Sequence, residues 1–323
     1  MRVAVVGAGV SGLSAARALQ RGGAEVVVFE ATEHLGGRCR TDTIDGYTFD
    51  PGATSIVPRG LEVESVMLNE LDTSDLVEIA LPVYTHDGRR IFLGAGLPPT
   101  PRYCYKQGIN HFAQLIAEDL DVRFDCHVID VNEYEGKYEV LGEAYDSVVL
   151  ATFVDEALKL ARSAGVDTHA NNTRYRSCLS VLLGFEREFD APYHAIVAEE
   201  SVHPMHWLSI ENLKVPGRAP KGCTAIVVQM GPKFSKWNFG AKSEDIVNDA
   251  LVDVERVLGK GFETPVVTEV VRFERSQAET VSRFESVNAH GKHVVIAGDG
   301  VEGGRIEHAY ASGVKAAKML LAK

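Results

Sequence analysis

The segment VAVVGAGVSGLSAARAL, residues 3–19, constrains the fold of this chain more than any other part of it. A short apolar run, Val3–Val6, leads into glycines with G-x-G-x-x-G spacing, and a helical pattern follows from about Ser11 to Gln20. A second apolar run, Glu25–Phe29, completes a β-α-β unit. Both runs carry β-branched residues on both faces, as is typical of parallel strands buried between layers of helices. The segment therefore predicts an α/β fold that opens with a parallel sheet.

The glycine turn follows a strand and precedes a helix, which is the context in which this spacing binds a dinucleotide. The first glycine permits a tight turn, the second lets the backbone approach a pyrophosphate, and the third allows close contact between helix and strand. Free amides at the start of the helix would hold the pyrophosphate. Glu30 would accept hydrogen bonds from a ribose with a free 2′-hydroxyl group, whereas a glycine turn used only for packing leaves this acid unexplained. The residues predicted to bind the dinucleotide here are Gly7, Gly9, Val10, Ser11, Gly12 and Glu30.

The same glycine spacing recurs near the end of the chain, in GDGVEG at residues 298–303. A second dinucleotide fold would need a strand after its helix and an acid about twenty residues beyond the last glycine. The residues after Gly303 instead have the pattern of one helix, from about Arg305 to Leu321. The second glycine motif is therefore expected to have a different role from the first.

The middle of the chain predicts a second part built on antiparallel strands. A hairpin centred on Asp87-Gly88 precedes a proline-rich linker, and an amphipathic helix spans Ser243–Leu258 with Gly259 directly after it. Asn110 is placed to cap a helix over residues 110–120. The other predicted elements are a helix at 62–71 and strands at 123–133, 137–141, 147–150, 176–186, 194–210, 223–230 and 293–297.

The segment HLGGRCRT, residues 34–41, carries a family resemblance. It resembles the G-G-R-x-x-T segment of the flavin-dependent amine oxidase superfamily, which includes monoamine oxidases, protoporphyrinogen oxidases, phytoene desaturases and renalases. The resemblance implies that the dinucleotide is FAD, that FDPGATSI (49–56) passes close to the flavin, and that HVIDVNEYEGKYEV (127–140) contacts adenine through its backbone. A solvated loop charge for Arg38 and an ordinary core valine for Val128 are the alternatives. The implied contact residues are Gly36, Gly37, Arg38, Gly52, Ala53 and Val128.

The closing stretch HVVIAGDGVEGGRIEHAYASG, residues 293–313, resembles the last flavin motif of this superfamily. Asp299 would then hydrogen-bond to a ribityl hydroxyl group, and amides at the start of the last helix would stabilise negative charge at the pyrimidine edge of the flavin. An Asx turn is the alternative for Asp299. The segment is most similar to that of renalases. It differs from them in one respect: renalases tend to carry an aromatic residue after the Asp, whereas residues 300–302 of this chain are Gly, Val and Glu. The implied flavin contacts are Gly298, Asp299, Gly304, Arg305 and Ile306.

The resemblance also implies how the chain is divided. An α/β protein is expected, with a Rossmann-like FAD-binding domain and a smaller α+β substrate domain. The first would contain a parallel sheet with helices and a β-meander, and the second an antiparallel sheet. The FAD-binding domain would be discontinuous, over residues 1–75, 110–160 and 265–323, and the substrate domain would cover residues 76–109 and 161–264.

Candidate residues for contact with a substrate come from the last helix and from the predicted antiparallel sheet. A flavin oxidase asks its protein to place the substrate carbon against flavin N5 and to exclude water. Each of three candidates also has an interpretation without substrate contact. Trp207 could pack in the core, His206 could simply end a strand, and Arg305 could form an ion pair with Glu302 or Glu307. The candidates are Tyr310, His308 and Arg305 from the helix and His206 and Trp207 from the sheet.

Charge and cysteine content limit the partners. The net charge of −12 disfavours nucleic acid and anionic lipid surfaces. No apolar stretch approaches the ~20 residues of a membrane span, and five scattered cysteines without a C-x-x-C pair indicate reduced thiols and no metal site. A cytoplasmic enzyme is therefore expected. The cysteinyl attachment of flavin found in monoamine oxidases is not expected here, because no cysteine follows Cys223, so the resemblance implies noncovalent FAD.

Three functions remain open from the sequence. The leading one is an FAD-dependent oxidase or dehydrogenase that takes a hydride from a small molecule, an amine or a reduced nicotinamide-type compound, and passes electrons to O2 to yield H2O2. The second is a desaturase of the phytoene desaturase or protoporphyrinogen oxidase type. The third is a flavin-binding protein without catalytic activity.

Overall fold

The computed structural model describes residues 1–93, 100–168, 172–200, 203–289 and 293–322. Its first sheet has five strands, and all neighbouring strands run parallel, as predicted from the valine-rich runs. The carboxyl ends of these strands therefore meet at one edge of the sheet, where α/β folds bind their ligands. The strand order across the sheet is Val294–Ile296, Ser147–Leu150, Arg2–Val6, Glu25–Phe29 and Asp121–Arg123.

Two helices from opposite ends of the chain pack against each other beside this sheet. The first helix spans Val10–Arg21 and the closing helix spans Ile306–Leu321, both close to their predicted bounds. Gly313 allows their close approach, because a Cβ atom on it would lie 2.1 Å from the carbonyl oxygen of Ser11. The two glycine motifs are thereby held at the same edge of the sheet.

A three-stranded β-meander follows the parallel strand that ends at Arg123, as expected for this fold. The prediction of one strand over 123–133 is wrong, because Asp125 has φ of +54° and the chain turns there. The amide of Cys126 then donates to the carbonyl oxygen of Glu30 at 2.8 Å, which holds the turned segment beside the second strand. The strands of the meander are Asn132–Tyr134, Lys137–Val140 and Glu143–Tyr145.

The second large sheet has seven strands among the described residues and is antiparallel except for one pair. The predicted hairpin at Asp87-Gly88 is confirmed by the pairing of Val83–His86 with Ile91–Phe92. The predicted helix Ser243–Leu258 is also confirmed, and its apolar side contributes to a core with one face of this sheet. The strand order is Val267–Thr280, Arg174–Phe185, Thr224–Met230, Met205–Ile210, Ala195–Ala198, Val83–His86 and Ile91–Phe92.

The long strand Val267–Thr280 is absent from the elements predicted from the sequence. It pairs antiparallel with Arg174–Phe185 over most of its length. Its outer half alternates charged and polar residues with few apolar ones, so it lacks the periodic apolar signal of a buried strand. Because of this pairing, residues 267–280 belong to the seven-stranded sheet, although they were predicted to lie in the FAD-binding domain. The rest of the division into domains stays a prediction.

Two of the predicted helices differ in detail. The predicted helix 62–71 consists of an α-helix, Leu61–Ser65, that continues as one turn of π-helix, Val66–Glu70. Asn110 is the first residue of its helix rather than the cap, and its side-chain amide donates to the carbonyl oxygens of Leu35 (2.6 Å) and Cys39 (2.8 Å).

The remaining elements are short or connect the two large sheets. Among the described residues, none of the helices combines the length and the apolar content that a membrane crossing requires. The other helices are Asn110–Ala117, Val154–Ser163, Glu211–Lys214, Pro232–Trp237 and Phe284–Val287, and the other strand pairs are Asp42–Ile44 with Tyr47–Phe49 and Leu76–Glu78 with Tyr103–Tyr105.

Candidate cofactor and substrate site

The three glycines of the first turn have three separable roles in the structure. Gly7 has φ of +102°, a backbone conformation that residues other than glycine rarely adopt. A Cβ atom on Gly12 would lie only 1.9 Å from the carbonyl oxygen of Gly7. Gly9 has an ordinary φ of −71°, and a Cβ atom on it would meet no atom of the described residues within 4 Å. Packing within the chain therefore requires Gly7 and Gly12 but not Gly9. The space in front of Gly9 is left for a group from outside the chain.

The start of the first helix fits an anion. The helix begins at Val10, and Gly9 before it supplies no side-chain cap for the first amides. The hydroxyl oxygen of Ser11 is buried and has no hydrogen-bond partner within the described part of the chain. Unpaired amides, a helix dipole and an unpartnered hydroxyl group together match the requirements of a pyrophosphate.

Glu30 lies at the end of the second parallel strand and is already bonded to the glycine turn. Its Oε2 atom accepts a hydrogen bond from the amide of Ala8 at 2.8 Å, and its Oε1 atom accepts from the amide (3.0 Å) and the hydroxyl group (2.9 Å) of Thr32. A carboxylate has about four acceptor positions, so the side chain can order the turn and still accept from a ribose. Its contact with a ribose stays a prediction.

The segment Gly36-Gly37-Arg38 lies directly against the first glycine turn. The amide of Gly36 donates to the carbonyl oxygen of Ala8 at 2.9 Å, and a Cβ atom on Gly37 would lie 3.7 Å from the Cα atom of Gly9. Gly36 and Gly37 have φ values of +91° and +56°. Two glycine-rich backbones therefore meet at the carboxyl end of the parallel sheet, as the resemblance implied.

Arg38 forms a bidentate ion pair with Asp299, 261 residues further along the chain. The nitrogen-to-oxygen distances are 2.9 and 2.6 Å, and Nη1 of Arg38 also donates to the carbonyl oxygen of Ser276 at 3.1 Å. Burial has the largest single effect and lowers the pKa of Arg38, but the charge of Asp299, its hydrogen bond and smaller electrostatic contributions together raise the pKa above its ordinary value. The guanidinium also lies 5.2 Å from the ring centre of Phe153, within cation–π range. Two residues predicted from separate motifs to contact FAD thus meet in one place.

The closing glycine turn is tied by its own backbone. The amides of Gly303 and Gly304 both donate to the carbonyl oxygen of Asp299, at 2.8 and 3.0 Å, and the amide of Gly298 donates to the hydroxyl group of Ser312 at 2.9 Å. The prediction that the amide of Gly304 lies free at the flavin is therefore corrected, because this N–H is bonded within the turn. The closing helix starts at Ile306 without a side-chain cap, so the predicted role of the next two amides stays open.

One face of the seven-stranded sheet lies opposite these turns. Gln229 donates from Nε2 to the carbonyl oxygens of Pro51 (2.9 Å) and Gly52 (2.6 Å), and the hydroxyl group of Ser180 donates to Pro51 at 2.6 Å. The amide of Ala53 donates to the carbonyl oxygen of Arg38 at 3.0 Å. The segment predicted to pass close to the flavin is therefore held between the sheet and Arg38.

Sequence reasoning missed Gln229 and Ser180. A signal was present for Gln229, because it is the one polar side chain in the second half of an otherwise apolar buried strand, TAIVVQM. A polar residue at such a position is hydrogen-bonded in nearly all proteins. Its partners, however, are carbonyl oxygens nearly 180 residues away, and the sequence does not point to them.

Trp207 lies on the sheet face that carries Gln229, its partner in the neighbouring strand. The indole nitrogen of Trp207 and Nδ1 of the adjacent His206 are buried and make no hydrogen bond to the described residues. Burial, followed by the charge of Arg176, lowers the pKa of His206, so this imidazole is neutral at pH 7. A bulge between Met205 and Trp207 alters the alternation of side chains here. Both predicted residues therefore carry a buried polar atom that lacks a partner among the described residues.

The structure does not support substrate contact for Tyr310. Its side chain is buried, and its ring centre lies 6.2 Å from that of Phe112 in the helical core. Its carbonyl oxygen accepts from the hydroxyl group of Ser14, which places this turn of the closing helix against the first helix. Burial raises the pKa of the Tyr310 phenol. Tyr310 is a packing residue between helices.

The other two candidates from the closing helix lie near its start. The side chain of His308 reaches back over the glycine turn, because a Cβ atom on Gly303 would lie 2.3 Å from its Nδ1 atom. Arg305 is exposed, and it forms no ion pair with Glu302, Glu307 or another acid of the described residues. Glu302 instead pairs with Lys315.

Val128 lies in the turned segment before the meander, two residues after Cys126. Its side chain is buried in the main core, which agrees with the alternative of a packing valine. The amide of Cys126 donates to Glu30, so the backbone at Val128 is close to the end of the second strand. A main-chain contact with adenine stays a prediction.

A buried ionic cluster behind the site was also missed. Asp50, Glu211, Lys214 and Arg218 are at most 1 % exposed in their side chains, and Lys214 lies 2.8 Å from Asp50 and 2.6 Å from Glu211. Burial would raise the pKa of Asp50, but Lys214 and Arg218 together hold it below its ordinary value, so the carboxylate is ionised. The amide of Ile109 donates to Asp50 at 2.9 Å. This cluster anchors the start of the 50–56 segment. Two of its members lie in the short helix Glu211–Lys214 and the others outside helices and strands, and no sequence pattern brings them together.

These features define a dinucleotide-binding α/β protein whose ligand site faces an antiparallel sheet. Comparison with known protein families then assigns the chain. Residues 5–71 match the model of an NAD(P)-binding Rossmann-like domain, and residues 74–321 match the model of the flavin containing amine oxidoreductases. The second match covers well over half of the chain, so the protein belongs to the flavin-containing amine oxidoreductase family. The predicted fold class, the FAD cofactor and the class of flavin-dependent oxidoreductase are confirmed.

Individual relatives agree with the family but are distant. The chain is 34% identical over 87 residues to a 4,4′-diapophytoene desaturase of Staphylococcus aureus, and 50% identical over 56 residues to a zeta-carotene-forming phytoene desaturase of Myxococcus xanthus. These matches span only 17% and 11% of the two desaturases and 27% and 17% of this chain.

Solved structures of similar fold cover nearly the whole chain. A proposed protoporphyrinogen oxidase from Exiguobacterium sp. has a TM-score of 0.82 at 16% identity, with 99% of this chain and 98% of that chain covered. Putrescine oxidase bound to putrescine has a TM-score of 0.73 at 15% identity, with both chains covered completely. Reduced UDP-galactopyranose mutase has a TM-score of 0.77 at 14% identity, with 99% and 95% covered. At these identities the likeness is one of fold.

Proposed function

We propose that this protein is a renalase-like or amine oxidase-like FAD-dependent oxidase, which takes a hydride from a small molecule and passes electrons to O2. The observation that carries the proposal is the meeting of Arg38 and Asp299 beside the first glycine turn, opposite the sheet face with Trp207. Motifs from both ends of the chain converge on one place, next to a polar face that can receive a substrate.

The residues present fit FAD. The open space before Gly9, the unpartnered hydroxyl group of Ser11 and the uncapped start of the first helix suit its diphosphate. Arg38, Asp299 and the start of the closing helix would hold the rest of the cofactor. When bound, FAD supplies the acceptor for a hydride.

The chain's own residues provide orientation and proton acceptance. His206 has a ring nitrogen without a hydrogen-bond partner among the described residues, and its lowered pKa keeps the imidazole neutral before substrate binds. It can therefore hydrogen-bond to a substrate or accept a proton from it, which would convert the ring to an imidazolium cation. Trp207 beside it offers an apolar surface and one N–H donor. The uncapped amides at the start of the closing helix favour negative charge in front of them.

Spectroscopy on the purified protein tests the proposal. We expect a yellow protein that releases FAD on denaturation and whose flavin absorbance is bleached by an amine or a dihydronicotinamide compound under anaerobic conditions. Admission of O2 should then restore the colour and produce H2O2. A His206→Gln variant, matched in hydrogen-bonding ability but unable to take a proton, should slow the bleaching while it keeps the bound FAD. A flavin that none of these compounds reduces would contradict the proposal.

A desaturase activity is the second candidate, because the curated relatives that match part of the chain are phytoene desaturases. Such an enzyme acts on an apolar substrate dissolved in lipid and is expected to bind liposomes. Sedimentation with liposomes, followed by assay of lipid-dissolved polyenes, separates this candidate from the oxidase. A protein that binds FAD and is reduced in neither assay would favour a flavin-binding protein without catalysis.

A further inference from the structure

Three arginines without acidic partners lie beside the site, in a protein with a net charge of −12. They are Arg59, Arg102 and Arg305. Within the described parts of the chain, none of them forms an ion pair, whereas Arg38, Arg218 and Arg275 do. For a partly buried charge such as Arg102, neighbouring like charges disfavour the ionised form, and a ligand of opposite charge would relieve this.

Arg102 is the central member and is the most constrained. Its backbone is fixed on two sides. The carbonyl oxygen of Arg102 accepts a hydrogen bond from the amide of Ile79 at 2.8 Å, and the next residue, Tyr103, exchanges a pair of backbone hydrogen bonds with Ile56. The guanidinium is half-buried, and its one hydrogen bond to a described residue is a long one, 3.5 Å to the hydroxyl group of Ser55. An arginine has five N–H donors, so most of them are left for another group.

The other two arginines are close enough to act on Arg102. Burial, the charge of Arg59 and the charge of Arg305, in that order, lower the pKa of Arg102, while Glu307 opposes them. Glu307 is buried, and its Oε1 atom has no hydrogen-bond partner among the described residues. With three positive charges and one negative charge, the cluster keeps a net positive charge.

The cluster lies between the two segments predicted to contact the flavin. Ser55 follows Ala53, whose amide donates to Arg38, and Arg305 follows Gly304, whose amide donates to Asp299. A molecule bound in front of the cofactor residues would therefore meet this positive charge.

We propose that Arg102, Arg305 and Arg59 bind an anionic group of the substrate, a carboxylate or a phosphate. This inference rests on the proposed function, because it concerns the substrate of the same site. A guanidinium binds both kinds of anion through paired N–H donors, and such charge-assisted bonds are stronger than neutral ones. The substrate of this enzyme would then differ from a simple cationic amine.

Anion titration of the FAD-loaded protein tests the proposal without turnover. Inorganic phosphate and malonate are added separately at constant ionic strength, and the flavin absorbance difference spectrum reports occupancy. We expect a saturable change with at least one of the two anions, and their relative affinity distinguishes phosphate from carboxylate. In Arg102→Gln and Arg305→Gln, affinity should fall about ten-fold, the effect of losing a hydrogen bond to a charged group.

Arg89→Gln serves as the matched control, since Arg89 is an exposed arginine of the hairpin and should leave anion binding unchanged. Because Arg305 is exposed, its substitution tests the site even if the Arg102 variant folds poorly. Absence of a saturable change in the FAD-loaded wild type, or equal affinity in both site variants and the control, would overturn the anion site. If the anion binds but no compound reduces the flavin, the proposed oxidase fails while the anion site stands. If an amine that carries a carboxylate is oxidised with a KM that neither Arg102→Gln nor Arg305→Gln changes, the proposed oxidase stands while the anion site fails.

Discussion

The two glycine turns share a spacing but use their glycines differently. In the first turn, Gly12 permits contact within its own β-α unit, and Gly9 faces open space. In the closing turn, a Cβ atom on Gly300 would lie 2.3 Å from the hydroxyl oxygen of Tyr175, and one on Gly304 would lie 2.8 Å from the carbonyl oxygen of Ala278. Both of these neighbours belong to the seven-stranded sheet. The first turn leaves open space beside Gly9, whereas the closing turn makes room for the other sheet.

The surroundings of a glycine motif decide what its glycines do. Spacing specifies where side chains are missing, but not whether the vacated space is filled by backbone, by another sheet or by a ligand. In the first turn the adjoining strand and helix are local, so the sequence context was sufficient. In the closing turn the neighbours come from strands more than 20 residues earlier and more than 100 residues earlier, so context along the chain could not identify them.

Gly12→Ala should have the largest effect, because its methyl group would meet backbone at 1.9 Å and neither partner can move independently. We expect the free energy of unfolding to fall by about 3 kcal/mol or the protein to be lost on expression. Urea denaturation with and without FAD measures this. A stable Gly12→Ala variant would contradict the view that the first helix packs tightly on its strand.

Gly9→Ala separates ligand binding from folding. Without a clash inside the chain, we expect the free energy of unfolding of the FAD-free protein to change by less than about 1 kcal/mol, the cost of alanine at a helix cap. FAD binding should weaken by about 2 kcal/mol, because the methyl group intrudes between diphosphate and amides and weakens hydrogen bonds to a charged group. Fluorescence quenching of added FAD gives the Kd. An unchanged Kd would show that the diphosphate does not lie in front of Gly9.

Gly300→Ala should have the smallest effect and should act through the other sheet. Its methyl group would meet side-chain atoms, with the Tyr175 hydroxyl group nearest, so we expect a loss of about 1 kcal/mol in unfolding free energy and little change in FAD affinity. In a double variant with Tyr175→Phe, which removes that nearest atom, the two losses should be less than additive. If the two losses in unfolding free energy simply add, the methyl group of Gly300→Ala does not act through the Tyr175 hydroxyl group.

The parts of the fold that follow local rules were predictable. The parallel strands, the first helix, the hairpin and the helix Ser243–Leu258 each have a complete pattern of apolar period and end signals within a few residues. The strand Val267–Thr280 was not predictable from the sequence, because its residues lack a clear alternation of apolar and polar side chains and its pairing with the neighbouring strand stabilises it. Substrate contact for Tyr310 was wrongly expected for a related reason, since only the packing of the closing helix decides which of its faces is buried.

The sequence by itself determined the α/β start of the chain, the dinucleotide turn and the membership in a flavoprotein superfamily, because these depend on residues that are neighbours along the chain. Only the tertiary structure decided that Arg38 pairs with Asp299, that Gln229 holds the Pro51-Gly52 segment and that Arg102 has no acidic partner among the described residues. Such contacts join positions far apart in the chain, and a single side chain carries no periodic signal of a partner brought to it by folding.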